Sequence, residues 1–95
     1  MRLRRAREDV GLSQKQLGIN AGLDEFIASA RINRYETGIH EPDIHTTARL
    51  AKVLNLPTAY FYAADDRVAR MIAAFSRLSR RKQDALLRKL PKTDL

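Results

Sequence analysis

Residues that end or cap helices recur along this chain, and their spacing constrains the fold more than any other feature. Gly11, Gly22 and Gly38 each follow a run with apolar residues at helical spacing, and glycine is the usual residue just past a helix C-terminus. Pro57 and Pro91 end two later runs, because proline cannot continue a helix. Runs of alternating β-branched residues, which would indicate strands, are nearly absent. The sequence therefore predicts an all-α protein.

Helical spacing between these stops predicts seven helices, at about residues 2–9, 13–21, 24–36, 43–54, 59–62, 66–78 and 79–90. The residues expected to cap helix starts are Ser13, Asp24, Asp43, Thr58 and Ser79. Ser13 and Gln16 also have the spacing of a capping box, in which the Gln16 side chain reaches back to the start of the helix.

The formal net charge of +7 favours a polyanionic partner such as nucleic acid or an anionic membrane. The charge is uneven, since residues 1–43 carry seven basic and seven acidic side chains, whereas residues 65–95 carry nine basic and four acidic ones. Charge alone therefore indicates the C-terminal part of the chain as the part that binds a polyanion. A solvated helix face is an equally good interpretation of the same basic run.

The sequence contains no cysteine, so the chain can form neither a disulfide nor a thiolate metal site. The basic N-terminus, from Met1 to Arg7, runs into Glu8 and Asp9 without an apolar stretch, so we expect no signal peptide and no membrane anchor. These features predict a soluble, cytoplasmic protein.

Residues 11–38 contain the parts of a helix-turn-helix in order. A capped helix begins at Ser13 and Gln14, Gly22 stands at the turn, and the next helix carries the aliphatic Ile32 on its inner side. Such a unit places the N-terminus of its first helix on a backbone phosphate and its second helix in the major groove.

With these residues, the stretch from Leu3 to about Phe61 resembles the Cro and phage-repressor, or XRE-type, helix-turn-helix family. The residues that carry the resemblance are Gly11 to Gln14, Leu17, Ala21 to Leu23, Ile32, Tyr35, Glu36, Gly38, Pro42, Leu50, Ala51 and Leu54. The resemblance implies a lambda-repressor-like five-helix DNA-binding domain over residues 1–64, followed by a C-terminal two-helix extension over residues 65–95. It also implies a structural ion pair between Arg7 and Glu36.

The resemblance further implies that the protein binds double-stranded DNA, with Gln14 at a phosphate or a base edge. The residues assigned to DNA binding are Ser13, Gln14, Lys15, Ser29, Ala30, Arg31, Asn33, Arg34 and Thr37. Arg31 and Arg34 suit guanine or phosphate. Asn33 suits adenine, and Ser29 suits either base.

Two departures from the family pattern stand near the third helix. From Gly22 to Glu36 the chain has about four residues more than the commonest spacing, which is one helical turn of ~3.6 residues. The recognition helix is therefore either lengthened or preceded by an added turn. After Gly38 the chain has Ile39 and His40 where relatives often have basic residues, so a poorer grip on the DNA backbone is expected. His40 itself is better explained as an exposed residue without function than as a phosphate contact.

Two side chains of this added turn, Phe26 and Ile27, are apolar. Projection at 100° per residue, with Ile32 inside, places Ala28 and Tyr35 inside and leaves Phe26 and Ile27 outside or flanking. Three explanations are open for the last two residues. They contact thymine methyl groups, they cover a neighbouring element, or the added turn is not collinear with the helix.

The C-terminal helices are predicted to form the interface of a homodimer. The apolar residues assigned to it are Met71, Ile72, Phe75, Leu86, Leu87 and Leu90. Two recognition helices must lie about one DNA turn apart, ~34–36 Å, to read a palindrome, and a helical extension can fix that distance. The alternative is that these helices fold back on their own core.

Other function classes are less well supported. An antitoxin or adaptor would use residues 65–95 to hold a partner protein, and membrane association would use the basic C-terminal helices, which contain no Trp. Tyr60 to Tyr62 are better explained by packing than as a platform for single-stranded bases. Ser79 and Lys82 have the spacing of an acyl-enzyme motif without its companions. We therefore expect a non-enzyme with no cofactor, no metal and no small-molecule effector.

Overall fold

The structure is a computed structural model, and it describes residues 1–92 of the chain. Over these residues the chain forms seven α-helices and no strand, so the all-α prediction is confirmed. The helices are α1 (Leu3–Asp9), α2 (Gln14–Asn20), α3 (Ala28–Glu36), α4 (Ile44–Leu54), α5 (Ala59–Tyr62), α6 (Asp66–Ser76) and α7 (Arg80–Lys89). None of the helices in the described residues is both long and apolar enough to cross a membrane.

Helices α1 to α5 share one apolar core, to which each contributes. The buried residues of this core are Leu3, Ala6, Leu17, Ala21, Ile32, Tyr35, Leu50, Ala51, Leu54 and Phe61. The rings of Tyr60 and Phe61 meet edge to face, with their centroids 5.2 Å apart. Phe61 is buried and Tyr60 half-buried, which is the packing role expected for them, whereas Tyr62 is exposed.

The start of α2 is capped from one side only. The Ser13 Oγ accepts a hydrogen bond from the Gln16 backbone N–H at 3.0 Å, as predicted. The Gln16 side chain does not reach back to complete a capping box. Its Nε2 donates instead to the Asn20 Oδ1 at 2.6 Å, because Asn20 lies one turn further along the same face of the helix.

One predicted helix start and one predicted helix cap are wrong. Helix α3 begins at Ala28 rather than Asp24, because the Asp24 carboxylate accepts a hydrogen bond from the backbone N–H of Phe26 at 2.8 Å. The backbone carbonyl of Asp24 also accepts from the N–H of Ile27 at 3.1 Å, and this local bonding makes a separate turn in place of a helix. Thr58 makes no side-chain cap for α5, because its own backbone already has the right-handed helical conformation.

Helix α6 packs partly on the core, and α7 scarcely packs at all. Ala69 and Ala73 are the buried residues of α6, whereas α7 has no buried residue. The link between the two helices includes a hydrogen bond from the Gln83 Nε2 to the Phe75 carbonyl at 2.8 Å. The molecule is accordingly elongated, with extents of 48 × 23 × 20 Å.

The N-terminus of α1 is joined to the start of α6 by one arginine. The Arg2 Nε donates to the Asp66 Oδ1 at 2.9 Å, and the Arg2 Nη1 donates to the carbonyl oxygens of Ala63 and Tyr60. These contacts bridge the predicted boundary between residues 64 and 65.

Candidate nucleic-acid interface

Helices α2 and α3 approach each other so closely at Gly18 that α2 has no room for a side chain there. A Cβ atom at Gly18 would lie 2.7 Å from the Ala28 Cβ and 3.0 Å from the Ala28 Cα, closer than such atoms can approach. Gly18 and Ala28 thus set the crossing of the two helices. Sequence reasoning missed Gly18, although a glycine inside a helical apolar pattern is a signal for close backbone approach.

The turn between these helices is fixed from two directions. Gly22 has a φ of +92°, a left-handed conformation that glycine adopts without steric cost. The Arg49 side chain on α4 reaches across to donate from its Nε to the Ala21 carbonyl at 3.1 Å. This bond satisfies a carbonyl at the C-terminus of α2, which otherwise lacks a helical partner, and it had no sequence signal of its own.

The inner face of α3 is the one that the helical projection predicted. Ala28 and Ile32 are fully buried and Tyr35 nearly so. The opposite face is exposed at Ser29, Ala30, Asn33, Arg34 and Thr37, and Arg31 is half-buried beside it. A single face of α3 therefore presents the polar and basic residues that were assigned to bases.

Arg7 and Glu36 form a nearly buried ion pair that joins α1 to the end of α3. The Arg7 Nε and Nη2 lie 2.6 Å and 3.2 Å from the two carboxylate oxygens of Glu36, and the Arg7 Nη1 donates to the Leu12 carbonyl at 2.9 Å. The side chains of Arg7 and Glu36 are only 13% and 3% exposed. The pair therefore orients α3 against the rest of the core.

The titration of this pair follows from its hydrogen bonds. Burial by itself raises the pKa of the Glu36 carboxyl, but the hydrogen bonds from Arg7 and Gln14, together with the positive charges of Arg7 and Arg4, outweigh burial and hold that pKa below its ordinary value. The hydrogen bond to Glu36 raises the pKa of the Arg7 guanidinium. Both partners are consequently charged at neutral pH, as an ion pair requires.

Gln14 lies between this ion pair and the exposed face of α3. Its Nε2 donates to the Glu36 Oε1 at 3.0 Å and to the Asn33 Oδ1 at 3.2 Å. The Gln14 amide therefore bonds within the protein. The hydrogen bonds form a continuous path from Arg7 through Glu36 and Gln14 to Asn33.

The positive charge near this face is not neutralised by neighbouring acids. Lys15, Arg31 and Arg34 form no ion pair within residues 1–92. The arginines of α1 differ, since Arg4 pairs with Glu8 at 3.4 Å and Arg5 with Asp9 at 3.5 Å. The positive charges of Lys15, Arg31 and Arg34, unpaired in the described residues, therefore favour an anion beside them, whereas the exposed Asp24 and Glu25 disfavour one at the turn before α3.

The loop between α3 and α4 has the opposite character. Ile39, His40 and Glu41 are exposed, and the Asp43 carboxylate caps α4 by accepting a hydrogen bond from the Thr46 N–H at 2.7 Å. That bond lowers the pKa of Asp43, so the carboxylate is charged at neutral pH. In the described part of the chain, moreover, no group of three or more acidic or histidine side chains could hold a metal ion.

Two helices locked at a turn, with one exposed polar face on the second, define a helix-turn-helix. Residues 1–60 match the family described as "Helix-turn-helix domain", and the chain belongs to that family. The crystal structure of transcriptional regulator BswR is similar to this chain, with 46% sequence identity and a TM-score of 0.87. The similarity covers 92% of this chain and 86% of that one, so it reaches beyond the helix-turn-helix into the C-terminal helices. No curated protein sequence matches the chain.

Proposed function

We propose that this chain is a transcriptional regulator that binds double-stranded DNA sequence-specifically through α3. The observation that carries the proposal is the exposed polar face of α3, held in place by the contact of Gly18 with Ala28 and by the Arg7–Glu36 pair. A face that reads bases must be held rigidly by the elements beneath it, because small displacements break directional contacts.

The exposed side chains divide by chemistry into two groups. Arg31, Asn33, Arg34 and Ser29 on α3 carry the donors and acceptors that pair with base edges in the major groove, and Ala30 offers a methyl group. The residues that would contact the backbone are Ser13, Gln14, Lys15 and Thr37. The Ser13 hydroxyl accepts the capping hydrogen bond from the Gln16 N–H. The Thr37 hydroxyl donates a hydrogen bond to the Asn33 carbonyl at 2.9 Å. Each hydroxyl therefore already makes one hydrogen bond within the protein.

We propose further that the protein acts as a homodimer on a palindromic operator, as a repressor that occludes its site. Helix α7 has ten residues and none is buried, and a helix of that length is marginal without a packing partner. Its apolar side chains, together with those of α6, suit a second copy of the chain. The proposed interface comprises Met71, Ile72, Phe75, Leu86, Leu87 and Leu90, of which Met71, Leu87 and Leu90 are exposed and the rest half-buried.

The division into a reading part, residues 1–64, and a dimerising part, residues 65–95, belongs to this proposal. The burial of Ala69 and Ala73 gives α6 a second role, because its inner side packs on the chain's own core. The outer side of α6 and the exposed side of α7 remain for the partner. A two-fold arrangement of two such chains would set the distance between two α3 helices.

Selection of bound sequences from random DNA with the purified protein tests the function directly. We expect one enriched palindromic sequence. On that operator, Arg34→Ala and Arg31→Ala should each weaken binding at least about tenfold and relax base preference at one position per half-site. Arg5→Ala, which changes an exposed arginine on α1 outside both proposed surfaces, is the matched control and should preserve base preference. Full affinity and specificity in both α3 variants would show that another surface reads the DNA.

A further inference from the structure

The turn before α3 exposes a large aromatic side chain that the fold does not use. Phe26 is 88% exposed, and Ile27 beside it is 42% exposed. The sequence left three explanations for these residues, and the structure excludes one of them for Phe26, because so exposed a ring covers no neighbouring element of its own chain. The added turn is also separate from α3, which explains the break in the helical pattern but not the choice of phenylalanine.

The backbone that carries Phe26 is held in one conformation. The Phe26 N–H donates to the Asp24 Oδ1 at 2.8 Å, and the Ile27 N–H donates to the Asp24 carbonyl at 3.1 Å. The Ile27 carbonyl then accepts the hydrogen bond from Arg31 at 2.9 Å that starts α3. The ring therefore projects from a fixed point at the beginning of α3, and little backbone entropy is lost when it meets a ligand.

The position of Phe26 at the beginning of α3 indicates which kind of ligand the ring contacts. In a helix-turn-helix it is the N-terminal part of the second helix that contacts base edges, and Phe26 stands two residues before α3. The same turn carries the exposed carboxylates of Asp24 and Glu25, which disfavour contact with phosphate. What remains within reach of an apolar ring is a base edge, and in the major groove thymine alone among the four bases presents a methyl group.

We propose that Phe26 is a specificity-determining residue that packs on the C5-methyl group of a thymine in the operator. The inference rests on the proposed function, since it requires that α3 enters the major groove. The contact comes from the added turn, outside α3 itself. The inference predicts an invariant thymine in each operator half-site, at the end that lies against the start of α3.

The test uses the full-length protein and the operator obtained by selection. Each thymine is replaced singly by uracil, which removes the methyl group and keeps the hydrogen bonds of the base. Wild-type protein should lose about three- to tenfold in affinity at one thymine per half-site, the loss expected for one buried methyl group. Because a dimer carries two copies of Phe26, Phe26→Ala should show on unmodified operator the loss that wild type shows when that thymine is replaced in both half-sites. The variant should be insensitive to uracil at those positions, because the protein change and the DNA change remove the same contacts.

Two further measurements separate this contact from other causes. Urea unfolding of Phe26→Ala should match wild type, since the ring is exposed, and the slope of log affinity against log salt should be unchanged, because no phosphate contact is removed. Ile39→Ala is the matched control, since Ile39 is also an exposed apolar residue but stands after α3, and it should keep the sensitivity to uracil.

The results distinguish a failure of the thymine contact from a failure of the proposed DNA-binding function. If Phe26→Ala binds as tightly as wild type and responds equally to uracil, the inference is overturned while DNA binding stands. A loss of affinity that is independent of every thymine methyl also overturns it. If the wild-type chain selects no DNA sequence at all while remaining folded, both the inference and the proposed function fail.

Discussion

The α2–α3 pair and the α6–α7 pair are both two helices joined by a short turn, yet they are packed very differently. In the first pair the crossing is so close that Gly18 has no room for a side chain against Ala28. In the second pair only Ala69 and Ala73 are buried, both on α6. The first pair buries its apolar side chains within one chain, whereas the second pair leaves Met71, Leu87 and Leu90 exposed.

The difference originates in the residue types that each pair places inward. Helix α3 directs Ile32 and Tyr35 into the core and keeps polar residues outside. Helix α6 directs small alanines inward and leaves Val68 and Met71 exposed. Burial of an alanine side chain stabilises a fold less than burial of a larger apolar side chain, so the second pair gains less from the chain's own core than the first pair does.

The largest effect on stability is expected from breaking the pair that anchors α3. Arg7→Ala leaves the Glu36 carboxylate nearly buried with only Gln14 to donate to it, and removal of one partner of a buried ion pair typically costs about 3 kcal/mol or more. The free energy of unfolding from urea titration measures the loss. Arg4→Ala is the control, because its pair with Glu8 is exposed and should contribute less than about 1 kcal/mol.

The same ion pair makes the stability of the core depend on pH in the acid range. Because the pKa of Glu36 is lowered in the folded state, its stabilising contribution is complete above the unfolded pKa of about 4.3 and is lost as the pH falls through the folded value. Thermal melts between pH 7 and pH 2 should therefore show a steep acid loss in wild type. Glu36→Gln should reduce that slope, and an identical slope in both proteins would show that other carboxylates dominate.

A smaller loss of stability is expected from adding a side chain at Gly18, where α2 contacts α3. Gly18→Ala should destabilise the protein by about 1–3 kcal/mol through overpacking, although alanine is favoured over glycine in a helix by about 1 kcal/mol. Ala28→Gly in the same protein removes the atom that a new Cβ would strike and should restore part of the stability. Urea unfolding of the single and double variants measures both effects. A Gly18→Ala protein more stable than wild type would mean that the crossing can widen freely.

The smallest effect is expected where the second pair is attached to the core. Arg2→Ala removes the hydrogen bonds to Asp66 and to the end of α5, which should cost about 1 kcal/mol. Amide hydrogen exchange should accelerate in α6 and leave α2 and α3 unchanged, since local opening follows local contacts. Arg5→Ala, whose pair with Asp9 is exposed, serves as the control. Equal acceleration in both pairs would show that they unfold together.

The sequence predicted most of the fold because its signals are local. Gly11, Gly22 and Gly38 mark helix ends, and Ser13 and Asp43 cap helices as expected. The start of α3 was misplaced because Asp24 has the same preference for a helix cap and for a turn, and only the hydrogen bond to Phe26 distinguishes them.

The candidate site was less predictable where it depends on contacts between distant segments. The outer face of α3 follows from helical periodicity alone, and the Arg7–Glu36 assignment came from family resemblance. The bond from Arg49 to the Ala21 carbonyl and the three bonds of Arg2 have no local pattern. They depend on how α4 and α6 lie against other helices, and local sequence patterns do not reveal that packing.

The central claim, that α6 and α7 are completed by a second copy of the chain, is tested most directly by sedimentation equilibrium. The measurement compares wild type with the double variant Leu87→Ser, Leu90→Ser, both side chains being 54% exposed, and with Ile39→Ser as an exposed apolar control. We predict a dimer for wild type and for the control, and a folded monomer with reduced operator affinity for the double variant. A wild-type monomer, or a double variant that remains a dimer, would contradict the claim and would assign these helices to a different partner or to no interface.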